Sequence, residues 1–429
     1  MVLSIQAIRG FKDVLPEEAV WWRRVEDQAA LVLDRFGYRN LRLPVVEKTE
    51  LFARGIGTDT DIVEKEMYTF PDRHGEFLTL RPEATAGIVR CLLEHNLAAD
   101  GRPVKLWVLG PMFRYERPQK GRQRQFHQLD VEVFNDPSPH ADAEIIVLLD
   151  HFLSTLGLAD VVMNVNSLGC PGCRPAYREA LRSFLAGRRE ELCPDCQRRM
   201  ETNPLRVIDC KVPRCAQIAA GAPMILDFLC PACREHFAQV QEDLAAAKVR
   251  YEVNPRLVRG LDYYTRTTFE ALTGELGAQN AVAGGGRYDH LAETLGGPSI
   301  PATGWAMGLE RLVMLLAGRG SPPEAGCDLF VAALDEEAVR AGFALVQDLR
   351  RQGFSVEMDY APGSLKSRLR RADKIGARRV LILGQEERAK GEAILRDMRA
   401  KDQKAVPLAQ AATLIRNELE MDQRVHSGK

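Results

Sequence analysis

Polar and apolar residues alternate with a period of two through residues 126–134, the mark of a half-buried strand. Further strands are expected at 77–81, 105–113, 251–259, 263–272 and 280–285. Helices are expected at 17–36, 141–156 and 305–317. Strands that follow one another without regular helical crossovers imply a largely antiparallel sheet with flanking helices. Past residue 318 the pattern changes. "GRGSPPEAG", 318–326, has no periodicity and reads as a linker. Beyond it "DLFVAAL", "FSVEM", "RRVLILG" and "EAILRDM" read as strands, and 337–352, 364–375 and 408–421 as helices. That alternation predicts a small α/β domain.

The chain has 429 residues, more than one ordinary core holds, so two or three domains are expected. The division drawn is 1–325, interrupted by a cysteine-rich insert at 167–250, followed by 326–429. Apolar residues make up 45% and charged residues 27%, a balance that excludes disordered and fibrous classes. The net charge of −1 supplies no general attraction to polyanions, so any nucleic-acid contact must come from a local basic patch. The first twenty residues carry no apolar run of signal-peptide length. No run of about 18 apolar residues predicts a membrane span. A cytoplasmic location is expected.

Four stretches carry candidate chemistry. "FRYERPQKGRQRQFHQLDVEVF", 113–134, crowds Arg114, Arg117, Lys120, Arg122 and Arg124 ahead of a strand bearing Gln128, Asp130 and Glu132. Arginines at a strand end clamp phosphate or carboxylate, whereas the acidic residues accept N–H donors. The plain alternative is a solvated hairpin loop. "TLRPEATAGIVR", 79–90, ends a strand at Glu83 and starts a helix near Thr85, which fits either an ammonium site or an ordinary helix cap. "RLVRGLDYYTRTTFE", 256–270, sets Arg259 beside Tyr263 and Tyr264 and reads equally as a half-buried strand. "GWAMGLERLVMLL", 304–316, opens a helix with Glu310 and Arg311, and such a helix start attracts anions.

Taken together and in this order, these strings resemble those of the histidyl-tRNA synthetases, a family of class II aminoacyl-tRNA synthetases. "IQAIRGFKDVLPEEA" is similar to that family's start and "EKTELFARGIG" to its first class motif, and "LVRGLDYYTRT" is its most specific signature. The resemblance continues into "GSLKSRLRRADKIGARRVLILG". It implies an α+β catalytic domain of the class II type, mostly antiparallel, with an inserted domain and a C-terminal α/β anticodon-binding domain. It implies activation of L-histidine with ATP and Mg2+, then transfer to tRNA(His), by a homodimer. Histidyl adenylate, with N–H donors at one end and phosphate at the other, would satisfy the mixed character of 113–134.

The implied roles follow the motifs. Arg114, Arg259 and Arg311 are the catalytic arginines and, with Glu116 and Arg122, line the ATP site. Glu83, Thr85 and Gln128 hold the ammonium group of histidine. Glu132 and Tyr264 read the imidazole nitrogens, with Tyr263 and Tyr288 in the same pocket. Ala84 stands where many relatives carry Gly. A basic face of Lys366, Arg368, Arg370, Arg371, Lys374, Arg378 and Arg379 suits a tRNA backbone, and the loop 117–124 is expected to meet the tRNA's 5′ end. The competing reading is a histidine-sensing regulatory paralogue without catalysis. It fits poorly because the three arginines and the C-terminal domain are present.

Eight of the ten cysteines fall in 167–250 as four close pairs, Cys170/Cys173, Cys193/Cys196, Cys210/Cys215 and Cys230/Cys233. A reducing compartment argues against disulfides, and such spacing suits tetrahedral thiolate coordination. Structural zinc is one expectation and reduced, metal-free thiols the other. The three ways of joining four pairs into two sites stay open. Cys91 and Cys327 read as isolated apolar residues.

Overall fold

The computed structural model describes residues 5–57, 60–119, 121–259, 261, 263–276, 280–320 and 326–427. The chain divides into two compact units, Met1–Ser321 and Pro322–Lys429.

The strands of the first unit are β1 (Arg39–Asn40), β2 (Val46–Lys48), β3 (Tyr68–Pro71), β4 (Phe77–Leu80), β5 (Val104–Phe113), β6 (Gln125–Phe134), β7 (Val162–Ser167), β8 (Tyr251–Val253), β9 (Thr265–Leu272), β10 (Ala281–Arg287) and β11 (Ala302–Gly308). Eight of them form one sheet in the order β1-β5-β6-β11-β10-β9-β7-β8, and β2-β4-β3 form a small second sheet. The large sheet is antiparallel through its middle, with a parallel pair at each end, β1/β5 and β7/β8. On one face, Leu129, Val131 and Val133 of β6 and Trp305 and Met307 of β11 are fully covered. They pack in one core with residues of the helices Pro16–Arg35, Pro139–Thr155, Pro231–Ala246 and Leu309–Arg319. The period-two alternation of β6 therefore sends Gln128, Asp130 and Glu132 to the opposite face.

The expected helix at 305–317 begins only at Leu309, and 302–308 is strand β11. Its apolar spacing also fits a central strand, and backbone pairing to both β6 and β10 decides the matter. The strand expected at 251–259 stops at Val253. A turn follows, closed by the Leu257 N–H to the Asn254 carbonyl at 3.0 Å. The linker begins late, because the preceding helix runs to Arg319; residues 321–325, like Lys120, Gly260 and Asp262, lie outside the described residues. Residues 177–225 of the cysteine-rich region close over a core of their own around Leu181, Cys196, Val207 and Cys215. The helix Pro231–Ala246 packs instead into the main core through Phe237, Val240 and Leu244.

The second unit has strands β12 (Leu329–Ala333), β13 (Val356–Met358), β14 (Arg379–Leu383), β15 (Glu392–Asp397) and β16 (Gln403–Pro407), ordered β13-β12-β14-β15-β16. β12 is parallel to both neighbours and buried along its whole length. β14 to β16 run antiparallel. Asp335 caps the helix Glu336–Arg351 by accepting from the Ala338 N–H at 2.8 Å.

One buried ion pair joins the sheet to its helical layer. Arg287, at the end of β10, and Asp142, on the helix Pro139–Thr155, are both fully buried. Arg287 donates to one Asp142 oxygen at 3.1 Å, to Asp289, and to the carbonyls of Asp136 and Ser138, and its Nη2 lies 2.8 Å from the other Asp142 oxygen. Each guanidinium nitrogen has a carbonyl or carboxylate acceptor, so the pair is costly to split. Asp142→Ala is expected to lower stability by about 3 kcal/mol, because it takes the fully buried one of two carboxylates from a buried guanidinium and leaves Asp289 as its remaining charge partner. Urea unfolding of the full chain checks this, and a loss below about 1 kcal/mol would show that water or rearrangement satisfies Arg287.

Candidate active site

The open face of the large sheet carries the candidate residues in register. Across the strands run Asp130–Ala306–Gly284–Glu270 and, one step on, Glu132–Gly304–Gly286–Thr268. Acidic side chains thus flank a floor of Gly and Ala. A Cβ on Gly284 would sit 2.4 Å from Arg259 Nη1, and one on Gly304 would sit 1.4 Å from Glu132 Oε2. Only glycine lets these two charged side chains lie against the sheet.

One end of this floor is an acidic cavity of about 290 Å³. Glu83 enters it from the turn after β4, where its carboxylate accepts from the backbone N–H groups of Thr85 (2.8 Å) and Ala86 (2.9 Å). Glu83, rather than Thr85, therefore caps the helix Thr85–Glu94. The Thr85 hydroxyl is left to donate to Glu132 at 2.9 Å, and Tyr288 donates to the other oxygen of Glu132 at 2.6 Å. The ring of Tyr263 packs at a tilt against those of Tyr264 and Tyr288, with centroids 4.7 and 5.4 Å apart. Burial raises the carboxyls of Glu83, Asp130 and Glu132 above the ordinary range, the last two strongly. Asp130 is 1% exposed, and neither of its oxygens meets a hydrogen-bond donor among the described residues. The Gln128 carbonyl oxygen is likewise unpartnered.

The other end is a basic cavity of similar volume, about 290 Å³, lined by Glu116, Phe126, Glu270 and Arg311 among others. Arg114, Arg122, Gln128, Arg259, Gly284 and Ala306 line both cavities, so the two are one cleft. Arg114 is fixed by its Nε donating to the Pro82 carbonyl at 2.8 Å and by stacking over Phe126. Arg259 pairs with Glu270 and lies over the Tyr264 ring. Arg311 donates to the carbonyls of Ala281 (2.8 Å) and Gly121 (3.4 Å). Glu116 and Arg122 form an ion pair at 2.9 Å. Glu310 accepts from the His127 backbone N–H with both oxygens at 3.0 Å, locking the helix Leu309–Arg319 to β6. Chemically, the acidic end accepts N–H donors and the arginine end holds an anion. A molecule lying across the cleft meets Arg114 and Arg259 at its centre.

Every residue singled out for this site lines the cleft. Sequence places Asp130 among the acceptors of N–H donors without a specific role in the site and gives Glu270 none, although both stand in quoted motifs on the correct strand phase. That phase was the available signal. In the second unit the expected basic face is smaller than its composition. Arg368 is buried against Asp359 and the Ala361 carbonyl, Arg371 pairs with Asp359, Arg378 with Asp328 and Arg379 with Glu418. Lys366, Arg370 and Lys374 remain exposed without an ion pair among the described residues. The cysteines assemble as Cys170, Cys173, Cys230 and Cys233 in one cluster and Cys193, Cys196, Cys210 and Cys215 in another. All sulfurs within a cluster lie within 4.8 Å of one another.

Residues 10–183 and 218–312 match the family model of histidyl-tRNA synthetase, and residues 328–418 match an anticodon-binding domain. A curated relative from Desulfatibacillum aliphaticivorans, named histidine–tRNA ligase, is 54% identical over 404 residues, covering 94% of this chain and 96% of the relative. A relative of the same name from Trichlorobacter lovleyi is 52% identical over 412 residues, 96% and 98% of the two chains. The apo histidyl-tRNA synthetase of S. aureus superposes with a TM-score of 0.80 at 33% identity, over 96% of this chain and 99% of that one. A Bacillus halodurans ATP phosphoribosyltransferase regulatory subunit/histidyl-tRNA synthetase shares the fold at 22% identity and a TM-score of 0.64, over 86% of this chain and 96% of that one.

The unpartnered Asp130 sets a pH dependence. Its folded pKa lies above its unfolded value, so between the two the folded chain holds more protons. Stability therefore falls as pH rises through that window. Asp130→Asn removes the loss. Near neutral pH the ligand-free variant is expected to melt on the order of 2 °C higher than the parent, with the difference vanishing toward about pH 4. Scanning calorimetry at both pH values decides it, and equal melting near neutrality would mean that Asp130 has a donor.

Proposed function

The chain belongs to the histidyl-tRNA synthetase family, and on that premise we propose how its cleft activates L-histidine with ATP and passes it to tRNA(His). The observation that carries the reading is the merging of an acidic and a basic cavity at Arg114 and Arg259. In the first step a carboxylate oxygen of histidine attacks the α-phosphorus of ATP, and the bond to pyrophosphate breaks. In the second, a hydroxyl of the tRNA's terminal ribose attacks the acyl carbon and AMP leaves.

Arg114 and Arg259 approach the α-phosphate from two sides. They hold the reactants in line and stabilise the charge on pentacoordinate phosphorus. Arg311 takes the far end of the triphosphate, and Glu116 and Arg122 flank it. Glu83, Thr85 and Gln128 receive the ammonium group. Glu132 and Tyr264 read the imidazole, with Tyr263 and Tyr288 closing the pocket. Because Glu132 is buried and already accepts two hydroxyl hydrogen bonds, an amino acid without a matching ring donor leaves it under-satisfied, which is a strong basis for rejection. Glu116 and Glu270 are carboxylates facing that cavity and would hold a Mg2+ ion that arrives with ATP, which would supply positive charge to the leaving pyrophosphate.

The first unit is read as the catalytic domain, 1–325, with the insert at 167–250, and 326–429 as the anticodon-binding domain, whose exposed Lys366, Arg370 and Lys374 suit a phosphate backbone. The family resemblance supports a cytoplasmic homodimer, and no helix among the described residues is long and apolar enough to cross a membrane. The cysteine clusters suit structural zinc, apart from the reacting atoms. The regulatory alternative is disfavoured by the relatives' names and by the three arginines facing one cleft.

ATP–pyrophosphate exchange with each of the twenty amino acids tests the reading. Exchange is expected with histidine alone, and Arg259→Ala is expected to lower its rate about 10²–10³-fold, with Arg259→Lys recovering little of it. Histidine binding without exchange in the parent chain would overturn the catalytic reading.

A further inference from the structure

Four sulfurs each about 2.3 Å from a central ion lie about 3.8 Å apart at the corners of a tetrahedron. The clusters match that edge. Cys170 Sγ is 3.6 Å from Cys173 Sγ and 4.0 Å from Cys230 Sγ, and Cys193 Sγ is 3.9 Å from Cys210 Sγ. A disulfide would bring a pair to about 2.05 Å, and all these cysteines are free. Each cluster also aims a backbone N–H at a sulfur, Cys230 to Cys173 and Cys193 to Cys215, both at 3.2 Å. Such bonds favour the thiolate that a metal requires. The donor set is all sulfur and leaves no open position, which is the arrangement of a structural rather than a reactive centre.

The two clusters differ in what they touch. The first is bonded directly to the segment that leaves the cleft. Next to Cys170, the Gly169 carbonyl accepts from the Arg266 N–H at 2.9 Å and the Thr265 hydroxyl at 3.1 Å. Leu168 donates its N–H to the Arg266 carbonyl at 2.7 Å. Arg174, next to Cys173, donates to the carbonyl of Tyr264 itself. Gly169 has φ +63°, and a Cβ there would fall 2.6 Å from the Cys173 Cβ, so the close turn is built around the cysteines. The second cluster lies within 184–217, the segment outside the family match. Among the described residues it meets the cleft's surroundings through the helix Pro194–Thr202, whose Arg199 and Arg198 meet Asp61 (3.3 Å) and Glu64 (3.8 Å), and through the helix Pro213–Ala219, whose last carbonyl accepts from Arg256, outside the tyrosine segment. Ion pairs this exposed contribute little.

We propose that both clusters hold zinc and that the first ion fastens the base of the insert to Tyr264, so that its occupancy sets the affinity for histidine. The second ion serves the fold of the insert. Without the first ion, four thiols in contact have no reason to keep this spacing. Gly169 and Arg174 then lose the geometry that holds the 264–266 backbone. The proposal rests on reading the cleft as a histidine site.

The test uses the full chain, metal analysis and histidine titration calorimetry. The parent is expected to carry two zinc per chain, with Cys230→Ser and Cys193→Ser each retaining one. Cys230→Ser is expected to weaken histidine binding about tenfold with ATP affinity within about twofold, and its shift should exceed that of Cys193→Ser at least fivefold. Because a cysteine variant can fail to fold, Arg174→Gln supplies a second route: it should keep two zinc and still weaken histidine binding severalfold. Iron, or no metal, in the parent overturns the zinc assignment. Two zinc with equal histidine shifts for both cysteine variants, or none for Arg174→Gln, overturns the coupling. A parent that binds zinc but not histidine removes the cleft reading on which the coupling stands.

Discussion

The cleft depends on a stretch of sheet with almost no side chains on one face. At Gly284 and Gly304 the missing Cβ atoms let a guanidinium and a carboxylate rest against the backbone, at Gly286 the Thr267 carbonyl and the Tyr264 ring fill that space, and Gly285 comes so close to the Gly304 carbonyl that a Cβ would fall 2.0 Å from it. These glycines cost conformational entropy in strand interiors. What offsets that cost is on the other face, where Trp305, Met307 and Phe269 pack into the main helical core, and at the sheet end, where Arg287 and Asp142 lock β10 to a helix. The strands that lack side chains toward the cleft are thus anchored from behind.

That rigid floor explains why so many charges can share a small volume. Glu83, Asp130 and Glu132 are each at most 4% exposed, and desolvation disfavours all three as carboxylates. Glu83 is sustained by two helix N–H groups and Glu132 by two hydroxyls. Asp130 has only the more distant attraction of Arg81 and Arg114. Such an arrangement is unfavourable when empty and favourable once N–H donors arrive. A pocket that pays in the empty state gains selectivity, because a wrong occupant leaves the same groups unsatisfied.

Much of this was legible before the fold was known. The alternation in 126–134 put Gln128, Asp130 and Glu132 on one face, and the motif order brought Arg114, Arg259 and Arg311 together. Other features needed the third dimension. "GWAM" has apolar spacing that serves a helix or a strand equally well, and only its neighbours β6 and β10 make it β11. The role of Glu83 as a cap appears only when the helix behind it has a fixed start. Arg368 and Arg379 look like tRNA contacts in a basic run, yet each turns toward a carboxylate supplied from elsewhere in the unit, Asp359 and Glu418. Sequence shows charge, whereas partnership over long separations is a property of packing.

The cysteines mark the same limit. Spacing identified four pairs, but the choice among three pairings depends on which helix starts converge. The first cluster joins Cys173, ahead of the helix Arg174–Ala186, to Cys230, ahead of the helix Pro231–Ala246. These two pairs stand about 60 residues apart in sequence (compare the chain-entropy cost of such a loop), at the point where the insert leaves and rejoins the main sheet. That point adjoins the end of the β7/β9 ladder where β9 has just left the tyrosines. The insert is thus attached at the place where its attachment bears most directly on what the cleft can read.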